Sequence, residues 1–382
     1  MSTKTEKLYY VDSYIQSFAA RVLEIIPTDK GYDVILDKTA FFPEEGGQSS
    51  DTGYIGDARV RYVYEKDEVI HHITDTMPSL GEQNCRIDFA ERFEKMQCHT
   101  AEHILCGIIH KLFGLDNVGF HLGEDEVTFD VNGVLDREQL DRVEEIANNI
   151  VFSNLTVKAY FPSAEELFSI EYRSKLDITE GVRLVEVEGA DICACCAPHV
   201  SSTGEIGMIK VLDFMKHRGG TRIWMVAGRR ALSDYRARYE SVKRISGMLS
   251  TPQAEVADTL ESYIADSEGI KASLKAARLN IAQLRAEAVE VTEGSRVLLL
   301  PDFSIPDLIA FSNIANKRIG GITVALSGTD GDYKYVISSK SVDLRAMSRE
   351  INSALSGRGG GRPEMIQGSF ATSLEAIKKY FK

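Results

Sequence analysis

From Leu8 to about Asp88, apolar and polar residues alternate in short stretches closed by Gly or Asp, as in Tyr32-Asp-Val-Ile-Leu-Asp37 and Ala58-Arg-Val-Arg-Tyr-Val-Tyr64. A period of two marks strands with one buried face, so residues 1–90 are expected to form a small β-barrel domain. At Glu91 the period lengthens. Phe93-Glu-Lys-Met-Gln-Cys-His-Thr-Ala-Glu-His-Ile-Leu-Cys-Gly-Ile-Ile109 has helical spacing, and Asp136 to Phe152 predicts a second helix. Thr156 to Phe161 and Gly207 to Leu212 read as strands, which makes 91–229 an α+β domain. Residues 230–290 are helical throughout. Val256, Leu260, Tyr263, Ser267, Ile270, Leu274, Ala277, Ile281 and Leu284 keep a four-three spacing, the seam of a helical hairpin, a spacer or a dimer contact. After Val297 strands and helices mix again, with Arg296 to Leu300, Ile322 to Leu326 and Tyr335 to Ser338 as strands and Ser341 to Leu355 as a helix. Residues 291–382 are therefore expected to be an α/β domain, and the whole chain an α+β multidomain protein with a helical linker.

Composition narrows the class. With 382 residues and 43% apolar content, two or three hydrophobic cores are needed. The start, Met-Ser-Thr-Lys-Thr-Glu-Lys7, has no apolar signal core, and Pro301, Pro306 and charged residues interrupt the longest apolar runs. A cytoplasmic protein without a membrane partner is expected. Six cysteines, three of them close to one histidine, fit reduced thiols and a metal site better than a disulfide framework. The net charge of −13 argues against indiscriminate nucleic-acid binding. Locally the sign reverses. Nine Lys or Arg face two acidic residues between Lys216 and Arg244, with Trp224, Tyr235 and Tyr239 among them. Between Lys334 and Lys382 the count is nine against four. Two basic segments on an acidic body predict a directed polyanion track rather than a general affinity for DNA.

The chemistry concentrates in two clusters. His99 and His103 lie one helical turn apart on one face, and Cys195-Cys196-Ala197-Pro198-His199 repeats that reach from another element. Three imidazoles and one thiolate suit Zn²⁺. Cys193, Cys195 and Cys196 are all within reach, and the three-residue gap to His199 favours Cys195. Two glycine-rich segments complete the inventory. Phe41-Phe-Pro-Glu-Glu-Gly-Gly-Gln48 lets a backbone approach a bound group closely at Gly46 and Gly47, with Gln48 able to donate or accept. Gly357-Arg-Gly-Gly-Gly-Arg-Pro363 reads as a surface loop whose exposed N–H groups, between Arg358 and Arg362, suit phosphate oxygens.

Together these residues carry a resemblance over nearly the whole chain. Phe42-Pro-Glu-Glu-Gly-Gly-Gln-Ser-Ser-Asp-Thr-Gly53, His99-Thr-Ala-Glu-His103, Cys195-Cys-Ala-Pro-His-Val-Ser-Ser-Thr-Gly-Glu-Ile-Gly207 and Gly359-Gly-Gly-Arg-Pro-Glu-Met-Ile-Gln-Gly368 are similar to motifs of the long-form alanyl-tRNA editing proteins, AlaX. That family resembles the editing and C-terminal DHHA1 parts of alanyl-tRNA synthetase without its aminoacylation domain, so no ATP site is expected. The resemblance implies a trans-editing deacylase, a hydrolase serving translation fidelity. It would cleave the ester of mischarged tRNA(Ala), typically carrying serine and in some members glycine. It further implies zinc at His99, His103, Cys195 and His199, and tRNA contacts through Arg358, Gly359, Gly360, Gly361 and Arg362. A homodimer through the helical or C-terminal region is a further expectation.

Four protein ligands fill a tetrahedral zinc, so the metal is expected to hold the aminoacyl ester while a positioned water attacks. Glu102, Gln48 and His121, the last within Val118-Gly-Phe-His-Leu-Gly123, are the candidate catalytic side chains. Glu102 stands where synthetase editing domains often have a hydroxyl residue, and it completes a His-x-x-Glu-His spelling. An inverted-motif zinc metalloprotease, with Glu171 or Glu180 as the downstream ligand, is therefore one alternative. A non-catalytic tRNA-binding protein with structural zinc is the other.

Overall fold

The computed structural model describes residues 4–29, 31–123, 126–174 and 181–382. They form two compact units, Met1–Ser241 and Val242–Lys382.

In the first unit, six strands close into a barrel in the order Ser17–Thr28, Gly31–Leu36, Val69–Thr74, Ala58–Lys66, Gly53–Ile55 and Gly81–Ile87. Alternation supplies its filling: Val34, Leu36, Ile55, Val60, Val63, Ile70 and Ile87 point inward around Phe41. His72, Thr39 and Thr74 are polar residues fully buried with them. His72 bonds Thr39 Oγ1 through Nε2 at 2.9 Å and donates from Nδ1 to Val34 O at 3.0 Å.

Helix α1 (Phe89–Phe113) follows directly and ends where Gly114 takes up a left-handed conformation and its N–H bonds His110 O. From Lys95 to Ile109 every residue of α1 is buried, as is Arg92. A helix enclosed on all sides is a core element, so its polar residues need partners inside the protein. Around it pack α2 (Arg137–Phe152), opened by an Asp136/Gln139 capping box, and a sheet ordered Ile209–His217, Gly220–Ala227, Val127–Val131, Asn117–Leu122. A second sheet, Val157–Tyr160, Leu184–Val187, Asp191–Ala194, leads into the cysteine cluster, with the short helix α3 (Ala164–Ser169) inserted between its first two strands. Ile104, Leu105, Ile108 and Ile109 of α1 share one core with Phe129, Val143, Val185, Ile223 and Met225.

Barrel and helix are joined by a buried ion pair. Arg92 donates to both oxygens of Asp51 and to Ala40 O, and Asp51 also accepts from Phe42 N–H. Lys95 donates to Ser50 O at 2.7 Å. The 40–52 segment is thereby fixed against α1.

The helical stretch expected over 230–290 is two helices. Helix α4 (Gly228–Leu249) ends before Ser250, which has φ +53°, and Pro252; α5 (Val256–Glu287) begins afresh. On α5 the buried positions are Ala282 and Ala286, which pack with Leu308, Phe311 and Ala315 of α6 (Ile305–Ala315). Arg278 donates to Asp307 at 2.6 Å, beside them. The four-three seam is not that face: Leu260, Tyr263, Ile270, Leu274, Ile281 and Leu284 are exposed. Small residues allow the α5–α6 approach and leave the larger ones outside.

A five-stranded sheet ordered Arg296–Leu299, Thr323–Thr329, Asp332–Ser338, Met365–Phe370, Gly357–Arg362 completes the second unit with α7 (Leu344–Ala354) and α8 (Leu374–Tyr380). The Gly/Arg segment, expected as a loop, is the edge strand of this sheet. Its glycines permit the pairing: a Cβ at Gly359 would stand 2.3 Å from Gln367 O and 2.4 Å from Tyr335 Oη. Among the described residues no helix is long and apolar enough to cross a membrane.

Candidate metal centre

Nε2 of His99 and of His199 lie 3.6 and 3.3 Å from Cys195 Sγ. With His103, the four ligand atoms fall within 4.8 Å of one another. Bonds of about 2.0–2.3 Å arranged tetrahedrally put neighbouring ligand atoms about 3.3–3.8 Å apart, so the cluster has the dimensions of a zinc site.

The far sides of His99 and His199 are hydrogen-bonded, as a metal ligand requires, and that of His103 stands at ion-pair distance from a carboxylate without hydrogen-bond geometry. His99 Nδ1 is 2.8 Å from Gln48 Oε1, His199 Nδ1 is 3.0 Å from Thr100 Oγ1, and His103 Nδ1 is 3.3 Å from Asp191 Oδ2. Thr100 gives its hydroxyl proton to Met96 O at 2.8 Å. It can therefore only accept from His199, which fixes that ring with Nδ1 protonated and the Nε2 lone pair toward the cluster. Arg173 holds Asp191 with two bonds of 2.7 Å. Burial would raise the Asp191 pKa, but bonds from His103 and Arg173 bring it below the usual carboxylate range.

The same environment separates the three thiols. Burial pushes Cys193 up to about 11 and Cys196 higher still. Burial acts on Cys195 too, yet His99 and His199 beside it hold it well below the ordinary thiol value. Cys195 is thus the most readily ionised of the three thiols. His199 is lowered to about 3 by burial, the neutral state a ligand needs.

Gln48 reaches His99 because Gly46 and Gly47 adopt φ +63° and +87°. A Cβ at Gly47 would come 2.3 Å from Phe120 O. The turn is clamped to strand Asn117–Leu122 by Leu122 N–H to Gly47 O at 2.7 Å and Ser49 N–H to Leu122 O at 3.1 Å. Gln48 is fully buried, so it supports His99 rather than meeting a ligand in the open.

His99, His103 and Cys195 line a cleft of about 510 Å³ together with Glu102, Asn117, Phe120, Arg173, Arg183, Tyr10 and Phe161. Glu102 Oε1 accepts from Asn117 Nδ2 and from Cys106 Sγ, the latter at 3.3 Å. His121 is exposed and is not among the residues that line this cleft. Alternation along the strand explains this, since its neighbour Phe120 packs on His99 with ring centroids 4.6 Å apart and sends His121 to the other face. Glu171, weighed as a downstream ligand, is exposed and lines a different cleft, and Glu180 lies outside the described residues. Arg358 to Arg362 belong to the second unit, described above. Sequence reasoning missed Thr100, Asp191, Arg173, Asn117, Tyr10 and Phe161. Only Thr100, inside the His-x-x-x-His turn, carried a local signal.

Residues 182–243, which include Cys195 and His199, match the family described as the threonyl and alanyl tRNA synthetase second additional domain. The alanyl-tRNA editing protein AlaX-L of Pyrococcus horikoshii is 27% identical, over 97% of this chain and 96% of its own. The alanine–tRNA ligase of Ignicoccus hospitalis is 30% identical over 94% of this chain, which spans only 40% of that enzyme's length. A solved C-Ala domain of Aquifex aeolicus alanyl-tRNA synthetase, 23% identical, covers 23% of this chain and 85% of its own with a TM-score of 0.20. From end to end, then, the chain resembles a long-form alanyl-tRNA editing protein, and it shares that resemblance with part of the alanine–tRNA ligases.

Proposed function

We propose that the chain is a trans-editing hydrolase that deacylates mischarged tRNA(Ala), with Ser-tRNA(Ala) as the first substrate and Gly-tRNA(Ala) as the second. One observation carries the reading. Three imidazoles, each with Nδ1 beside a buried partner, converge on one thiolate in the wall of a cleft sized for one small ligand. His99, His103, Cys195 and His199 would hold a Zn²⁺, which would supply a fixed positive charge for the ester and its amino group. The chain's own groups do the rest. Glu102, tied through Oε1 to Asn117, takes a proton from the attacking water. The water oxygen bonds the ester carbonyl carbon, the bond to the ribose oxygen breaks, and the proton passes to that oxygen. Free amino acid and intact tRNA leave. Gln48, Thr100 and Asp191 keep the rings in register and touch no substrate.

The domain scheme 1–90, 91–229, 230–290 and 291–382 belongs to the same proposal. The last segment is a DHHA1-like tRNA-binding domain that engages tRNA(Ala) with Arg358 and Arg362 on its edge strand. The exposed seam of α5 is the contact of a homodimer. Six free cysteines support a reducing cytoplasmic setting.

The test is deacylation of Ser-tRNA(Ala) and Ala-tRNA(Ala) by wild type, His103→Ala and Glu102→Gln. Wild type should hydrolyse the seryl ester in preference, His103→Ala should lose zinc and activity together, and Glu102→Gln should lose about 10²–10⁴-fold in rate with zinc retained. A wild type that binds tRNA(Ala) and cleaves neither ester would replace this reading with a binding protein whose zinc is structural.

A further inference from the structure

In the cleft that holds the metal cluster, one wall has no task in ester chemistry. Phe161 follows the strand Val157–Tyr160 and is 53% exposed, yet it lines the same cleft as His99, His103 and Cys195. It meets Tyr10 edge to face, with ring centroids 5.4 Å apart and planes at 76°. Tyr10 is itself held on several sides. Tyr9 stands 4.7 Å away, the Arg183 guanidinium lies 5.2 Å from the ring centroid, and Lys7 Nζ lies 5.6 Å from it. Arg183 is fixed in turn by donating to Cys195 O at 2.9 Å and Ala197 O at 2.8 Å, within the segment that carries two of the four ligands. The aromatic pair is therefore rigidly referenced to the metal cluster, and Phe161 is its exposed member.

An apolar ring left half in water beside a cleft costs stability unless something covers it. The proposed aminoacyl groups, serine and glycine, have no surface able to do so. Every tRNA charged at its 3′ end presents one flat apolar group there, the terminal adenine. Clefts of about 300–1,000 Å³ take one small ligand, so about 510 Å³ admits a single aminoacyl-nucleoside and not a longer stretch of strand. We infer that Phe161, backed by Tyr10 and Arg183, is the wall on which the terminal adenine of the substrate stacks, with the ester turned toward His99, His103, Cys195 and His199. The inference rests on the editing reading and adds a specificity-determining pair outside the matched synthetase domain, residues 182–243. A stacked base in this position fixes the ribose and so the face of the ester offered to water. It reads any terminal adenosine and leaves the choice of tRNA to other surfaces.

Calorimetric binding of two non-hydrolysable probes tests it: 3′-deoxy-3′-(serylamino)adenosine and the same seryl-amino sugar without a base. Stacking on an aromatic side chain contributes about fivefold to 150-fold per base, so Phe161→Ala should bind the adenosine probe at least about fivefold more weakly than wild type, and Phe161→Tyr within about twofold of it. The baseless probe should bind wild type and Phe161→Ala equally. Undiminished adenosine binding by Phe161→Ala, or an equal loss for both probes, overturns the wall and leaves a packing role. Parallel deacylation of Ser-tRNA(Ala) separates the two levels. An inactive wild type removes the editing reading and this inference with it, whereas an active wild type with an indifferent Phe161→Ala removes the wall alone.

Discussion

Replacing Gln48 by alanine removes one hydrogen bond from the ring of His99 and touches no metal ligand. In the folded chain Gln48 is fully buried and its Oε1 sits 2.8 Å from His99 Nδ1. Its Nε2 has no protein partner among the described residues, so deleting the amide breaks that single side-chain bond. Two costs follow. The bond itself contributes about 0.5–1.5 kcal/mol, and the Nδ1–H left buried without an acceptor costs about 1–3 kcal/mol. The unmet donor also lets the imidazole turn or shift its proton to Nε2, the atom the metal needs. Together they predict zinc binding about 10–100-fold weaker, the range found for such supporting partners. Competition with a chromophoric chelator reads this directly, without reference to activity. Gln48→Glu, which keeps an acceptor in place, should recover most of the affinity. Unchanged affinity in Gln48→Ala, or a Gln48→Glu variant as weak as the alanine variant, would refute the assigned tautomer.

Three other outcomes follow from the packing. Asp51→Ala strands the buried Arg92 guanidinium between barrel and α1 and should lower the unfolding free energy of the first unit by about 3–5 kcal/mol in urea titrations, whereas a loss under about 1 kcal/mol would mean that water reaches the pair. Burial lowers His72 from 6.5 to about 4, against the bond to Val34 O, so the unfolded chain takes up its proton at higher pH than the folded one. The stability involved is complete above about pH 6.5 and lost as pH falls toward 4, about 3 kcal/mol in all, and His72→Leu should flatten that slope in urea midpoints measured between pH 7 and 4.5. Gly359→Val drives a side chain into Gln367 O and Tyr335 Oη, so the second unit should lose its edge strand and several degrees of melting temperature, while zinc content stays unchanged.

Much of this was legible in the chain because periodicity reports burial. Tyr32 to Leu36 and Ala58 to Tyr64 alternate and are strands, and the helix through His99 is present over its expected length. The clustering of His99 with His103 and of Cys195 with His199 was legible for a similar reason, since i, i+4 spacing survives folding as distance. Where expectation and structure part, a non-local contact decides. Gly357 to Arg362 has the composition of a loop, but its glycines serve the close approach of Met365–Phe370, a partner that local propensity does not reveal. The α5 seam satisfies its spacing and still faces outward, because Ala282 and Ala286 admit α6 at shorter distance. His121 lies between Gly119 and Gly123 and reads as a candidate site residue. Strand parity, legible only once Phe120 is known to face His99, turns it away.

The residues that complete the centre come from several separate segments, and this bears on what the barrel is for. Cys195 is a thiol held well below its ordinary pKa in a buried place, and three imidazoles converge on it. Such a cluster is unfavourable without a cation, so its geometry must be imposed by the rest of the fold. The imposition comes from both sides of α1. Thr100 and Asp191 hold two rings from within the α+β layer, while the third, His99, depends on Gln48 in the loop that Arg92 and Lys95 pin from the helix. The barrel side also lends Tyr10 and Glu45 to the cleft wall. Residues 91–229 alone would keep all four ligands and lose the support of His99 together with half of the aromatic wall. The barrel is therefore a working part of the centre rather than an appendage, which agrees with the single compact unit spanning Met1–Ser241.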